Sequence, residues 1–112
     1  MKLYLSGPIT GVPDYRDRFF QAEDYLRHLG PGVEVINPAA FSCMALWEWE
    51  DCILFDLNLL RGADTLVSLP GSASSKGARI EADFARGMGI PVFDLCEVRA
   101  WVARLAPFEQ VS

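Results

Sequence analysis

The sequence is poor in the residues that build disulfide frameworks and metal sites. Among 112 residues there are three cysteines and one histidine, His28. Cys43, Cys52 and Cys96 show no CxxC spacing, and an odd number of such cysteines predicts neither a disulfide framework nor a zinc site. Reduced thiols are therefore expected, and no metal and no cofactor are predicted.

Long hydrophobic runs and blocks of positive charge are also lacking. The most apolar run, CILFDLNLL, is too short to cross a bilayer and contains Asp56, and the start MKLYLSGPITG lacks the apolar core of a signal peptide. The 10 basic and 15 acidic residues give a formal charge of -5, with no basic block to follow a phosphate backbone. These features predict a soluble cytoplasmic protein that binds neither a membrane nor nucleic acid.

Hydrophobic residues make up 51% of the chain, which is ample for one packed core. Residues 1–112 are therefore expected to form a single domain. Four β-type runs are present: KLYLS, VEVI, TLVSLPG and IPVFD. They alternate with four helical patterns: RDRFFQAEDYLRHLG, MALWEWEDCILFDLNLLRG, Ser75 to Arg86 and EVRAWVARLA. This alternation predicts an α/β fold, a small doubly wound parallel sheet of about four to five strands with helices on both faces, flavodoxin- or Rossmann-like.

The ligand of such a sheet binds beyond the carboxyl ends of the strands. The segments expected there are SGPITG, NPAAF and LPGSASSKG. Two of them are rich in glycine, proline and small hydroxyl residues, which let backbone N–H groups approach a ligand closely. Neither carries the Gly-Lys-Ser/Thr ending of a P-loop or the GxGxxG of a dinucleotide fold. The loops favour a small anionic ligand that is not bound by either of those devices.

Glu81 has no cation within its own helix with which to form an ion pair. Its neighbours three and four residues away are Gly77, Ala78, Phe84 and Ala85. The small residues leave open space around the carboxylate, which can reach back toward the loop before the helix. Glu81 is thus either a functional carboxylate or a solvated glutamate near Arg86. The residues Ile80, Phe84 and Met88 form a separate apolar stripe that is expected to pack on the sheet.

Asp56 interrupts an apolar helical stripe formed by Cys52, Ile53, Leu59 and Leu60. Burying an ionised carboxylate without partners costs several kcal/mol, so such a group is hydrogen-bonded, protonated or functional. A structural hydrogen bond to a loop and a functional role both remain open. Asp64, which follows Arg-Gly before the third strand, is interpreted as a turn residue.

Ser75 and Gly77 lie at the start of the third helix, where unpaired N–H groups and the helix dipole favour an anion. Ser75 is either a simple N-cap or a contact to a phosphate. Tyr4, in the first strand, is either a core residue or part of the pocket.

Three segments of the chain resemble the nucleoside 2-deoxyribosyltransferase superfamily, which includes nucleoside 5'-monophosphate N-glycosidases. They are YLSGPITG at Tyr4 to Gly11, DLNLLRGAD at Asp56 to Asp64, and SKGARIE at Ser75 to Glu81, followed by ADFARGMGIPVF. The chain is most similar to short phage- and prophage-borne members of unassigned function.

The resemblance implies an enzyme that breaks the N-glycosidic bond of a small nucleoside or nucleotide. Glu81 would attack the anomeric carbon and form a covalent glycosyl-enzyme, Asp56 would act on the departing base, and Tyr4 would orient Glu81. Water would complete hydrolysis, and a second base would complete transfer. The implied substrate-binding residues are Gly7, Ile9, Thr10, Ser75 and Gly77.

Ser75 stands six residues before Glu81, where nucleotide glycosidases tend to have a serine and nucleoside transferases an aspartate. The resemblance therefore implies a nucleoside 5'-monophosphate. The first loop departs from the glycosidase pattern, since Pro8 and Thr10 replace a serine and a phosphate-binding arginine. Cations that can compensate are Arg16, Arg18, Lys76 and Arg79. A nucleotide-binding sensor without turnover and an enzyme for a larger substrate, such as a dinucleotide, are the alternatives.

The second helix carries more apolar surface than one sheet face can cover. The residues concerned are Leu46, Trp47, Trp49, Leu54, Leu57 and Leu60. A homodimer or larger homo-oligomer is therefore expected, and the resemblance implies the same.

Overall fold

The computed structural model describes residues 1–41, 47–98 and 100. Four strands alternate with the three helices that lie wholly within these residues. In chain order they are β1 Lys2–Ser6, α1 Tyr15–Arg27, β2 Glu34–Ile36, α2 Trp49–Leu60, β3 Thr65–Ser68, α3 Lys76–Gly87 and β4 Val92–Asp94. Short 3-10 turns follow β2 at Pro38–Phe41 and β3 at Ser72–Ser74.

The four strands form one parallel sheet in the order β2-β1-β3-β4. From β1 the chain passes to β2 at one edge of the sheet, and from β3 it passes to β4 at the opposite edge. The crevice between β1 and β3 is therefore the point where strand order reverses, which is where ligands bind in open α/β sheets. The predicted doubly wound parallel α/β fold is confirmed.

Alternation along β1 divides the core into two layers, because successive side chains of a strand point to opposite faces. Leu3 and Leu5 pack on the α1 side, in a buried cluster with Phe19 and Leu26. Tyr4 packs on the other side, in a cluster with α2 and α3. Helices thus cover both faces, and Ser6 follows Tyr4 toward the layer of α2 and α3.

The structure corrects the predicted start of the second helix and the predicted packing of Met88. The second helix begins at Trp49, after a turn in which the Glu48 N–H donates to Asp51 Oδ2 at 3.1 Å. Met88 is 54% exposed rather than packed on the sheet, although Phe84 contacts the core as expected. Residues 95–98 are helical, and most of the predicted final helix lies outside the described residues.

The described cysteines differ in state. Cys96 is free and exposed, whereas Cys52 is disulfide-bonded, so the expectation of reduced thiols is wrong for Cys52. Within the described ranges, no cluster of three or more His, Cys, Asp or Glu side chains is arranged to hold a metal ion. None of the helices in the same ranges has the length and apolarity needed to span a membrane.

The outer side of α2 and the turn before it expose apolar surface. Leu54 is 65% exposed and Phe41 55%, and Phe55 makes edge-on ring contacts with Phe41 and Trp47 at 5.7 and 5.5 Å. Leu60 belongs to the buried core instead, and Leu57 packs against it. The exposed apolar surface of α2 is therefore smaller than predicted. Leu46 lies outside the described residues.

We expect this surface to join two copies of the chain, because an exposed apolar patch rimmed by polar residues marks an association site. Leu54→Glu places a charge at its centre and is expected to convert the dimer to a monomer in sedimentation velocity. Gln21→Glu adds the same charge on α1, across the sheet, and should leave the assembly intact. A wild-type protein that stays monomeric at all concentrations would contradict this expectation.

Candidate active site

Glu81 is the buried carboxylate at the centre of the candidate site. It is 5% exposed, and both of its oxygens accept hydrogen bonds from β1. The Tyr4 hydroxyl donates to Oε2, and Ser6 Oγ donates to Oε1 at 2.9 Å. The partners that Glu81 lacks within its helix thus come from a strand more than 70 residues earlier in the sequence.

The local sequence explains how β1 and α3 meet at this carboxylate. Tyr4 and Ser6 are two residues apart on β1, so both face α3. The buried face of α3 is formed by Ala78, Glu81 and Ala85, at helical spacing. Because the flanking alanines are small, the helix lies close to the strand and the Glu81 carboxylate reaches its donors.

Glu81 borders a cavity of about 180 Å³ at the carboxyl ends of β1 and β3. Its wall contains every residue predicted for the site except Tyr4, which lies behind Glu81. The predicted lining residues are Gly7, Ile9, Thr10, Asp56, Ser75, Gly77 and Glu81. The wall also includes Trp49, Cys52, Ile53 and Ala78. The structure thus brings residues from three distant segments to one pocket.

Burial shifts the acidity of the titratable groups around the cavity. Burial raises the pKa of Glu81 to about 7; the Tyr4 and Ser6 hydrogen bonds lower it, and the nearby Asp56 charge raises it. Burial alone raises the pKa of Asp56 to about 6. The pKa of Tyr4 lies well above its usual range, through burial first and then the charges of Glu81 and Asp56. Tyr4 therefore remains a donor, and the two carboxyls share one proton near neutral pH.

Asp56 projects from α2 into the cavity rather than into the core. It is only partly buried, and no hydrogen bond or ion pair to its carboxylate occurs among the described residues. The structural hydrogen bond that would make Asp56 a simple loop anchor is thus not found there. Asp64, by contrast, accepts the Lys2 N–H at 2.8 Å, in keeping with its interpretation as a structural residue.

Ser75 caps α3 and faces the cavity at the same time. Its Oγ accepts the Ala78 N–H at 3.2 Å, as an N-cap does. The cap uses the oxygen as an acceptor, so the hydroxyl hydrogen stays available to a ligand. The two interpretations of Ser75 are therefore compatible.

The two glycines of the site have a packing role. A Cβ at Gly77 would come within 3.2 Å of Ile53 Cδ1, and a Cβ at Gly7 within 3.0 Å of Leu69 Cβ. Both contacts are tighter than ordinary packing allows. Glycine at these positions lets α3 approach α2 and lets the first loop approach the third, which together shape the cavity wall.

No lysine or arginine is among the residues that line the described cavity. Arg18 pairs with Asp14 at 3.1 Å, and Arg79 borders a separate polar hollow between α3 and the ends of β3 and β4. Lys76 Nζ lies 4.8 Å from the ring centroid of Trp49, which forms part of the cavity wall. Of these cations, Lys76 is the one positioned at the rim of the site.

A larger hollow of about 580 Å³ lies at the same end of the sheet, between the third loop and residues 94–96. Its lining includes Tyr25, Leu69, Pro70 and Asp94 but no buried carboxylate. Chemistry therefore favours the smaller cavity, where Glu81 and Asp56 meet.

Sequence reasoning missed Ser6 and Trp49. Ser6 carries a readable signal, because a polar residue two positions after Tyr4 must share its face of the strand. Trp49 was assigned only to an association surface. Its place in the cavity wall depends on where α2 begins.

Comparison with known proteins yields one family and several solved structures. The DUF4406 family, described as a domain of unknown function, matches residues 1–94. No curated protein matches the chain in sequence.

The similar structures share the fold at low identity, and 84% of the chain aligns with each. A 2-deoxyribosyltransferase from Bacillus psychrosaccharolyticus is 23% identical, with a TM-score of 0.65 and 71% of its length covered. A conserved protein from Enterococcus faecalis V583 is 24% identical, with a TM-score of 0.71 and 62% covered. The CMP N-glycosidase BcmB from Clostridium botulinum is 21% identical, with a TM-score of 0.57 and 67% covered. The chain therefore has the nucleoside 2-deoxyribosyltransferase-like fold and spans about two thirds of the length of these proteins.

Proposed function

The chain belongs to the DUF4406 family, and we propose that it cleaves or transfers the N-glycosidic bond of a nucleoside 5'-monophosphate or nucleoside through a covalent glycosyl-enzyme on Glu81. The observation that carries the proposal is the buried Glu81 carboxylate, held by Tyr4 and Ser6 at a cavity that it shares with Asp56. The 2-deoxyribosyltransferase and the CMP N-glycosidase with the same fold support it.

In the first step, an oxygen of ionised Glu81 attacks the anomeric carbon of the sugar. The C–N bond breaks and its electron pair leaves with the base. Protonated Asp56 transfers its proton to the base, which departs as a neutral molecule. With pKa values of about 7 for Glu81 and about 6 for Asp56, the pair holds one proton between these values, and the reactive fraction is the one in which Asp56 carries it.

In the second step, water or a second base attacks the same carbon. The bond between the sugar and Glu81 breaks, and its electron pair returns to the carboxylate. Asp56, now ionised, accepts the proton of the attacking group and regains its starting state. Inversion at each step gives retention overall, so the product keeps the configuration of the substrate.

The N-terminus of α3 is the proposed contact for a 5'-phosphate. Backbone N–H groups and the helix dipole favour an anion there, typically by ~0.3 to 1 kcal/mol. The hydroxyl hydrogen of Ser75 is free to donate to a phosphate oxygen, and the Lys76 ammonium lies at the rim. We therefore propose that monophosphates bind better than the matching nucleosides.

Ser75→Asp is expected to erase or reverse this preference. The new carboxylate sets a like charge against the phosphate, and aspartate still caps α3 well enough to keep the fold. Calorimetric titration of wild type and variant with one nucleoside and its monophosphate gives the four affinities needed.

Ser74→Asp is the matched control, because Ser74 is exposed and absent from the wall of the cavity. It adds the same charge one residue away and should change the preference much less. Equal binding of both ligands by wild type, unchanged in Ser75→Asp, would leave Ser75 as an N-cap and contradict the monophosphate proposal.

A nucleotide-binding module without turnover is the second candidate. Two observations favour it: the cavity, at about 180 Å³, is below the roughly 300 to 1,000 Å³ of most ligand pockets, and no described lining residue is a cation. Binding without product would favour the module.

We propose that residues 1–112 form one domain, whose cavity a second copy enlarges or completes.

Incubation with a panel of nucleosides and nucleoside monophosphates separates the two candidates. The enzyme proposal expects free base, detected by chromatography, from at least one monophosphate at a rate proportional to protein. A second base added to the mixture distinguishes transfer from hydrolysis, because only transfer yields a new nucleoside or nucleotide. Ligand binding by calorimetry without any released base would contradict the enzyme proposal.

A further inference from the structure

We propose that Ser6 is a positioning residue that stabilises the ionised form of Glu81 within the carboxyl pair and so maintains the reactive fraction in which Asp56 holds the proton. The inference rests on the proposed function, because its first step requires Glu81 to be ionised while Asp56 is protonated. It deepens that function by assigning the distribution of charge to one serine of β1.

The geometry of Ser6 suits this role. Its Oγ lies 2.9 Å from Glu81 Oε1, and the residue is 1% exposed, so bulk water does not compete for the bond. The backbone carbonyl of Ser6 accepts the Leu69 N–H at 2.8 Å, which fixes the end of β1 against the third loop. The fixed backbone therefore holds the serine hydroxyl beside Oε1 of Glu81.

Two titratable groups among the described residues face Glu81 from the elements packed against it, Tyr4 on β1 and Asp56 on α2. The side of α3 that carries Glu81 otherwise presents small residues, Ala78 and Ala85. Burial raises the pKa of Glu81 to about 7 and that of Asp56 to about 6, so between these values the pair holds one negative charge and one proton, and the form with the charge on Glu81 is the smaller share.

Hydrogen-bond donors set how much of the pair carries its charge on Glu81. Tyr4 and Ser6 both donate to Glu81, and no donor to Asp56 occurs among the described residues. Donors stabilise the ionised form of an acid. Loss of the Ser6 donor leaves Glu81 with Tyr4 alone, so the proton moves toward Glu81 and the population able to react falls.

The test follows the titration of both carboxyls by NMR in protein labelled with ¹³C at the side-chain carboxyl carbons of Asp and Glu. Glu81→Gln and Asp56→Asn assign the two signals. In Ser6→Ala the Glu81 midpoint is expected to rise by about one pH unit, because a hydrogen bond to a charged group is lost. The Asp56 midpoint is expected to fall.

Ser68→Ala is the matched control. Ser68 pairs with Ser6 in the sheet register, but it does not hydrogen-bond Glu81 and is absent from the wall of the cavity. The titration midpoints of Glu81 and Asp56 in Ser68→Ala are expected to equal those of wild type. Ser6→Cys keeps the volume with a weaker donor and should give intermediate midpoints.

Unchanged Glu81 and Asp56 midpoints in Ser6→Ala would overturn the proposal. Where the wild type releases base, the maximum of its pH profile of kcat should fall in Ser6→Ala by up to about tenfold, because a one-unit rise in the Glu81 pKa shrinks the reactive fraction, while KM changes little. A maximum equal to that of wild type would also overturn the proposal. A wild type that releases no base would reject the proposed function, and the NMR midpoints would still decide the role of Ser6.

Discussion

Glu81→Gln is expected to lower turnover by roughly 10⁴-fold or more, the scale seen when an attacking side chain is removed. Glutamine keeps the size of the side chain; its amide oxygen can accept one of the two hydrogen bonds, and its NH2 group can donate to the oxygen of the other hydroxyl. It carries no charge and cannot attack the anomeric carbon. The measurement is kcat for base release, with ligand affinity followed by calorimetry in the same variant. Affinity should stay within a few fold of wild type.

The stability of this variant shows whether the loss is chemical or structural. Burial raises the pKa of Glu81 from 4.5 in the unfolded chain to about 7. The folded protein thus keeps a proton that the unfolded chain releases, and wild type loses stability as the pH rises from 4.5 to 7. The loss amounts to about 3 kcal/mol above pH 7 and is absent below pH 4.5.

Glu81→Gln lacks this penalty and should be at least as stable as wild type in urea unfolding at pH 8. A variant that is markedly less stable at pH 8 would mean that the carboxylate and its two donors hold the fold together. Near-normal turnover would show that Glu81 is not the nucleophile. Glu23→Gln on α1, across the sheet, is the control for a change of the same type and should leave turnover unchanged.

Asp56→Asn is expected to lower kcat by about 10² to 10⁴-fold, the usual contribution of a general acid. The amide cannot donate a proton to the departing base, and it removes a half-buried charge that no described residue pairs with. Stability should change little. Rates measured across pH should lose the basic limb, since the variant has no acid whose proton the reaction requires.

The dependence on the leaving base makes this prediction sharper. A base that departs easily without protonation needs the acid less, so the effect of Asp56→Asn should shrink as the leaving base becomes more acidic. Asp64→Asn is the control, because Asp64 is exposed and binds the Lys2 backbone. A large loss of stability with normal turnover in Asp56→Asn would mean that Asp56 has a structural role instead.

The elements of the fold that could be predicted from the sequence are those with a local cause. KLYLS and TLVSLPG alternate or run apolar over a few residues and end at glycine or proline, which predicts strands. The parallel sheet follows from their alternation with helical patterns. The start of α2 is different, because Trp47 and Glu48 continue the apolar and helix-forming pattern and only a turn closed by Asp51 places the first helical residue at Trp49.

The candidate site shows the same division. Glu81 was identifiable because its helical neighbours offer no cation, and that anomaly is a local property of the sequence. Its partner Ser6 was not, because the contact joins residues 75 positions apart. The positions of the cations depend on packing as well, so sequence could not separate Lys76, which lies at the rim, from Arg18, which pairs on the surface. The disulfide state of Cys52 has no signal in cysteine spacing.

The covalent bond to Glu81 is the central claim, and mass spectrometry of the trapped protein tests it most directly. A 2'-fluoro nucleoside 5'-monophosphate slows both steps, because fluorine withdraws electrons from the carbon that becomes positive in the transition state. Wild type is expected to gain the mass of the fluorinated sugar phosphate, with release of one base per chain, and the modified peptide should carry the adduct on Glu81. Glu81→Gln should show no adduct. Base release by wild type with no adduct, or an adduct on any residue other than Glu81, would contradict the proposed mechanism.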